Sequence, residues 1–430
     1  MIRMSQKPKE LNGGMTVKVD KRKLPEGWKW VKLGEVLAYE QPNKYIVKDE
    51  QYDKRHGIPV LTPGKTFILG FTQEHQGIYN NIPVIIFDDF TTESRYIAFP
   101  FKLKSSAVKI LRSKCNFVNL YYVYNSMQLL NFKPGSEHKR FWISEYSKFL
   151  IPLPPLPEQR KIAEILETID NAIEKTDAII EKYKRIKQGL MQDLLTKGVV
   201  SEGEGESERW RLRNENIDKF KDSPLGRIPE EWEVVRLGEV IEEVNERKGK
   251  TNISTVLTVS NTEGLVDQTE FFGRNLSSKD TSNYKIVNKW CFVYNPARIN
   301  VGSIALNDSY EYAIVSPMYS VFKTKEFLLP KYLSYWVQLP NFRYMVINNT
   351  AGSVRESLNF SRLTTFKLPL PPLSEQQKIA EILETIDNAI EKTDKIKEKL
   401  ERIKKGLMED LLTGKVRVNH LIEEGNKDGN

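Results

Sequence analysis

Hydrophobic positions along this chain follow two rhythms. Over Glu158–Thr196 they recur every seven residues, at Ile162, Ile169, Thr176, Tyr183 and Leu190, interleaved with Ile165, Ala172, Ile179 and Ile186. Leu166, Ile173, Ile180 and Leu194 widen the stripe on one side. Over Glu375–Thr413 the same rhythm gives Ile379, Ile386, Thr393, Leu400 and Leu407 with Ile382, Ala389, Ile396 and Ile403. Lys and Glu fill most other positions, so each segment predicts a long helix with a narrow coiled-coil seam. Pro157 suits a first helical turn, Ser374 with Gln377 reads as a capping box, and Gly198 and Gly414 lie where the helices should stop. Elsewhere short Val-, Ile- and Phe-rich runs predict strands at 58–63, 82–89, 95–101 and 107–111, then at 254–259, 289–295, 303–307 and 313–323. Helices are predicted over 117–130 and over 331–340, the latter ending at Pro340.

The helical segments are copies: 32 of 39 positions are identical at an offset of 217. LPEGWKWVKLGEVL (Leu24–Leu37) returns as IPEEWEVVRLGEVI (Ile228–Ile241) at an offset of 204, whereas 38–150 and 242–367 share no obvious run. The expected layout is an N-terminal extension 1–23, a variable domain 24–157, a helix 158–198, a linker 199–227, a second variable domain 228–374, a second helix 375–414 and a tail 415–430. The linker reads as an exposed connection, helical in part near Trp210. The tail beyond Val418 and the first twenty or so residues are expected to be mobile. Two helices with matched seams in one chain are each other's nearest partners, although each could instead pack on its own domain. Pairing predicts an antiparallel coiled coil with pseudo-twofold symmetry, a domain at each end and termini close together. Thirty-nine helical residues span roughly 58 Å.

Composition narrows the function. The 430 residues carry a net charge of +8, and each variable region holds more bases than acids, 15 against 10 and 15 against 11. A polyanion is thereby favoured as partner. No apolar run approaches the roughly 20 residues of a membrane span, and two cysteines, Cys115 and Cys291, suit a reducing, cytoplasmic setting. Arg, Lys, Asn and Ser on turns can reach phosphates and base edges. The candidates for DNA contact are Lys54, Arg55, His56, Lys65, Thr66, Lys102, Lys104, Ser105, Lys139 and Arg140 in the first domain. In the second they are Arg274, Asn275, Asn295, Arg298, Asn300, Ser303, Ser353 and Arg355. Catalytic patterns are missing. Gly57 and Gly64 enclose six residues where a phosphate loop needs four, and four scattered histidines make no zinc site. Asp88, Asp89 and Glu93 could hold magnesium in a nuclease, but no suitably spaced lysine follows.

IPLPPLPEQRKIAEILETIDNAI and LPLPPLSEQQKIAEILETIDNAI, each closing a variable domain, resemble the conserved regions of specificity subunits of type I restriction–modification enzymes. The paired LPEGW…LGEV and IPEEW…LGEV openings are similar to the start of that family's target recognition domains. The resemblance implies an α+β chain with two β-containing α/β recognition domains at opposite ends of the helix pair. It implies no catalysis and no metal or cofactor in this chain. Each domain would read one half of a bipartite site in double-stranded DNA. The faces 158–196 and 375–413 would dock two modification (methyltransferase) subunits that methylate adenine with S-adenosylmethionine. Restriction subunits using ATP and Mg would join them. A two-domain protein-interaction scaffold and a stand-alone nuclease are the alternatives that the residues leave open.

Overall fold

The computed structural model describes residues 24–64, 66–130, 132, 140–203, 209–261, 263–274, 276–350 and 357–425. The extension 1–23 and the last residues of the tail, 426–430, lie outside the described residues. Contacts divide the chain into two compact units, 1–177 with 395–430 and 178–394. That division cuts through both long helices, Leu156–Leu194 and Leu373–Leu411, so each unit owns half of each helix. The boundaries read from the sequence kept the helices whole.

In unit 1 the ribbon Lys29–Lys32/Leu150–Leu153 leads straight into the first long helix. A four-stranded antiparallel sheet follows the order Leu37–Glu40, Val108–Ser113, Val84–Asp88, Ser94–Ile97. Beside it Ile58–Leu61 pairs antiparallel with Ile68–Thr72 and parallel with Lys102–Leu103. Helix Leu120–Gln128 begins where the Asn119 side chain accepts the Tyr122 N–H at 2.9 Å. Phe87, Leu111, Tyr122 and Trp142 form one core with Ile162 and Leu166 of the first long helix and Met408 and Leu411 of the second. Burying each aliphatic side chain contributes about 1.5–3 kcal/mol, so the helix halves are integral to this domain.

Unit 2 repeats the plan. Glu233–Arg236 pairs with Lys367–Leu370, and a four-stranded sheet follows the order Ile241–Glu243, Ser320–Thr324, Cys291–Tyr294, Ile304–Leu306. Leu257–Ser260/Gly264–Asp267 and Lys285–Asn288/Tyr312–Val315 complete the β structure. The run 313–323, read as one strand, is two, separated around Pro317. Pro340 ends one helical segment and starts the next: helices span Pro330–Trp336 and Pro340–Thr350, because a helix tolerates proline in its first turn. Trp232, Phe292, Tyr332, Leu194, Ile379 and Leu383 share one core.

Within each unit the two helix halves run antiparallel. In unit 1, Asp170 meets Lys404 at 2.5 Å and Asp177 meets Lys397 at 2.7 Å, seven steps forward on one helix against seven back on the other. In unit 2, Asp387 meets Lys187 at 2.6 Å, and Asp387 and Lys187 are the 217-offset counterparts of Asp170 and Lys404. Such half-exposed pairs contribute about 0–1 kcal/mol and serve register more than stability.

Local expectations change at the helix seam, at the start of the second long helix, in the linker and in the tail. Of the predicted seam, Ile162 and Ile379 are fully buried and Thr176 is buried. Ile165, Ile169, Ala172, Tyr183, Ile382, Ile386, Ala389, Thr393 and Leu400 are half-buried. Ile179, Ile186, Ile396 and Ile403 instead face outward, while Leu166, Ile180, Leu194 and Leu383 are buried. A straight helix drifts about 20° per heptad, so burial here repeats at eighteen-residue steps such as 162 to 180 and 176 to 194. The second long helix starts at Leu373, which puts Ser374 inside the first turn, and Gln377 donates to Glu381 at 3.1 Å rather than closing a capping box. The linker near Trp210 is β, not helical: Val199–Glu202 pairs with Arg209–Leu212 and Phe220–Ser223 with Gly226–Pro229. Residues Asn419–Gly425 of the tail form a short helix.

Candidate nucleic-acid interface and helix joints

Each unit joins its opening motif to a long helix through a buried carboxylate. In unit 2 Glu375 accepts from Val199 N–H at 2.8 Å, from Trp232 Nε1 at 3.0 Å and from both terminal nitrogens of Arg213. In unit 1 Glu158 accepts from Trp28 Nε1 at 3.0 Å and from Arg417 Nε at 3.0 Å and Nη2 at 2.7 Å. The Arg417 guanidinium is held above its ordinary value by that carboxylate. The neighbouring glutamines repeat the pattern. Gln159 donates to Pro154 O at 2.8 Å and accepts from Asn119 N–H at 2.8 Å; Gln376 donates to Pro371 O at 2.8 Å and accepts from Leu329 N–H at 2.9 Å. Gly198 closes the unit 2 joint at φ +67°, where a Cβ would strike the Glu375 carboxylate and the Trp232 ring.

About three turns further along each helix, Tyr121 donates to Asp170 at 2.5 Å and Tyr335 to Asp387 at 2.9 Å. Burial and those carboxylates push both phenols well above their usual range, so both remain donors. The aspartates that hold the facing lysines thus also hold the domain's own helix. The Trp and Glu partners are visible as repeated letters. Their arginines are not, because Arg213 follows a hairpin and Arg417 sits three residues past Gly414.

The candidate DNA contacts divide by environment. Lys54, Arg55 and His56 are exposed on a turn in which the Asp53 carboxylate accepts Arg55 N–H at 2.7 Å and His56 N–H at 3.1 Å. Those two bonds lower the Asp53 pKa and shape the turn from which the three basic side chains project. Thr66 is exposed, and its carbonyl accepts the Thr62 hydroxyl at 2.9 Å. Lys104 is half-buried and paired with Glu50; Ser105 Oγ accepts Ala107 N–H at 3.1 Å. Arg140 is exposed. Lys102 belongs to the fold instead: it is 1% exposed, 2.7 Å from Glu74 and 2.6 Å from the Gln76 carbonyl. Glu74 is itself held by the Lys48 and Asp49 N–H groups at 2.7 and 2.9 Å, a long-range arrangement that spacing alone could not reveal.

In unit 2 Arg274 is exposed just past Gly273, which takes φ +65°. Arg298 is exposed above a tight loop in which Val301 N–H and Ser303 N–H both reach its carbonyl, at 3.1 and 3.2 Å. Asn300 is half-buried; Asn295 is half-buried and accepts Ala297 N–H at 3.0 Å. Ser303 is buried beneath this loop, so it too shapes the surface from within. Lys65, Lys139, Asn275, Ser353 and Arg355 lie outside the described residues. The sequence reading passed over Arg247, Lys248 and Lys250, whose run ERKGK is a compact basic signal; Arg247 and Lys250 are exposed.

The acidic strand end does structural work. Asp88 accepts Phe90 and Thr91 N–H at 2.8 and 2.9 Å, and Asp89 is buried against Lys109 at 3.3 Å while accepting Trp142 N–H at 2.8 Å. Among the described residues no group of three or more His, Cys, Asp or Glu side chains could hold a metal ion, and no helix is long and apolar enough to cross a membrane.

Comparisons with known proteins agree with this duplicated plan. The family description "Type I restriction modification DNA specificity domain" matches residues 25–184 and again 229–402. A specificity subunit of a type I restriction enzyme from Escherichia coli is 33% identical over 386 residues, covering 83% of this chain and 86% of that protein. One from Methanocaldococcus jannaschii is 28% identical over 423 residues, covering 93% and 95%. In fold, the chain is similar to the crystal structure of a type I restriction–modification S subunit from M. genitalium, with a TM-score of 0.57 at 13% identity over 90% of this chain and 96% of that one. The chain belongs to the specificity subunits of type I restriction–modification enzymes, the non-catalytic components that carry DNA specificity.

Proposed function

We propose that this subunit reads a bipartite site in double-stranded DNA, one unit per half, and that its two long helices dock two modification subunits. Restriction subunits join through the assembled complex. S-adenosylmethionine, ATP and Mg act in those partners, and this chain contributes positioning alone. The observation that carries the reading is the joint built twice: a buried glutamate ties a dissimilar domain to a nearly identical helix in each unit. Rigid joints are what fixed spacing between two half-sites requires, and dissimilar domains are what two different half-sites require. The outward isoleucines Ile179, Ile186, Ile396 and Ile403 support the docking part, since they repeat the same apolar face on both helices.

The test is binding of the chain, assembled with its modification subunit, to duplexes carrying candidate sites at two salt concentrations. Tight, salt-sensitive binding to one interrupted sequence is expected. Absence of DNA binding by that assembly would favour a protein-interaction scaffold.

A further inference from the structure

Unit 2 carries an apolar projection that its own core does not use. Hairpin Leu257–Ser260/Gly264–Asp267 runs directly into a single helical turn, Gln268–Phe272. Asp267 starts the turn by accepting the Thr269 and Glu270 N–H groups at 2.7 and 3.1 Å, and Gly273 ends it in the left-handed region. Nothing in the turn is buried. Phe271 and Phe272 are 42% and 48% exposed, with their rings edge to face at 4.9 Å, and Leu276 is exposed just beyond. Consecutive helical side chains diverge by about 100°, so a lone turn could cover one ring against its hairpin; it covers neither. Defined capping at both ends argues for a shaped projection.

Its surroundings are basic. Arg274 and Lys279 are exposed on the segment that follows. The loop carrying Arg247 and Lys250 is tied alongside by Lys248 N–H to Tyr284 O at 2.8 Å, Gly249 N–H to Ser282 O at 2.9 Å and Lys248 Nζ to Thr281 Oγ1 at 2.8 Å. Of the nearby acids, Asp267 and Asp280 spend their carboxylates on local N–H groups, which leaves Glu246 and Glu270 exposed against those cations. An apolar tip followed by a basic segment, with a second basic loop tied to that segment's far end, is complementary to stacked bases between two phosphate rails.

We propose that Phe271 and Phe272 form a wedge that enters a base step of duplex DNA within the half-site read by unit 2, with Arg274, Lys279, Arg247 and Lys250 on the flanking phosphates. This rests on the DNA-reading function proposed above. Among the described residues this aromatic pair has no counterpart at the equivalent place in unit 1. Unit 1 has a matching strand arrangement, in which Ile58–Leu61 pairs parallel with Lys102–Leu103 as Val256 does with Ile314. There the outgoing strand Ile68–Thr72 continues as Gln73-Glu74-His75-Gln76, without Phe, Tyr or Trp. The DNA is therefore unstacked in one half and left regular in the other.

The experiment uses the chain assembled with its modification subunit and a duplex carrying the site identified from methylated adenines, with 2-aminopurine placed in turn in each half. Fluorescence enhancement is expected in one half only. Phe271→Ser with Phe272→Ser abolishes it and weakens binding by roughly tenfold, with unchanged thermal melting and assembly. Enhancement that survives in the variant, or none in the wild-type complex despite tight binding, overturns the wedge and leaves DNA reading intact. Loss of assembly in the variant overturns it in favour of a protein-docking surface. A wild-type assembly that binds no duplex overturns the underlying function as well.

Discussion

Replacing Glu375 by Gln keeps the side chain's size and removes the charge on which the unit 2 joint converges. The carboxylate is 3% exposed and serves Val199 N–H, the Trp232 indole and the Arg213 guanidinium. Gln offers one acceptor oxygen, and its NH2 group then faces donors. Arg213, itself buried, keeps only the largely exposed Glu231 at 2.8 Å. Breaking a buried pair on one side costs about 3–5 kcal/mol, and the remaining Glu231 sets the expectation near 3. With a urea dependence of about 3 kcal/mol per molar for a unit of this size, the midpoint falls by about 1 M. Trp232 sits in the joint, so intrinsic fluorescence reads the transition. Arg213→Met combined with Glu375→Gln leaves neither charge buried alone and should recover part of the loss. A Glu375→Gln midpoint within 0.3 M, roughly 1 kcal/mol, of wild type would refute the reasoning. So would a double variant that loses the sum of both single changes.

Other consequences concern pH, spacing and contact. Lys102, with the Asp49 and Lys48 N–H groups, holds Glu74 at about 2, well below its ordinary 4.5. The folded value lies below the unfolded one, so its stabilisation is complete above about 4.5 and is lost as pH falls toward about 2. Urea midpoints of Glu74→Gln should therefore lie below wild type at pH 6 and converge with it toward pH 2; an unchanged gap would sink the claim. Inserting seven residues into both long helices adds about 10.5 Å, or about three base pairs, to the unspecified gap. Methylated-site sequencing should show both half-sites unaltered, and altered letters with the old gap would defeat the spacer idea. Arg298→Ala should weaken binding by about 1–3 kcal/mol through the half-site read by unit 2 alone. Competition with duplexes mutated in one half reads this, and unchanged affinity removes Arg298 from the contacts.

Periodicity revealed what depends on local sequence. Both long helices and most strands follow from side-chain spacing, because amphipathic stripes are set by neighbours three or four residues away, and the antiparallel pairing follows from the duplicated layout. Where burial depends on distant partners, spacing falls short. A heptad template puts Ile179 and Ile396 in the seam, but a straight helix turns them outward and brings Ile180 in. Lys102 resembles any loop lysine until Glu74, 28 residues earlier in sequence, encloses it. The hairpins of 199–229 were obscured by a charged, glycine-dotted sequence whose strands are four residues long, too short for a clear alternation. The joints lay half visible: Glu158 and Glu375 recur at the helix offset, whereas Arg213 and Arg417 come from segments of different length.

Sequencing methylated adenines in cells that carry the modification partner and a chain whose residues 242–366 are exchanged for those of a relative with another specificity tests the central claim most directly. A site with one half replaced, the other half kept and the gap unchanged is the expected result. Replacement of both halves, or a single uninterrupted site, would contradict the division of labour between the units.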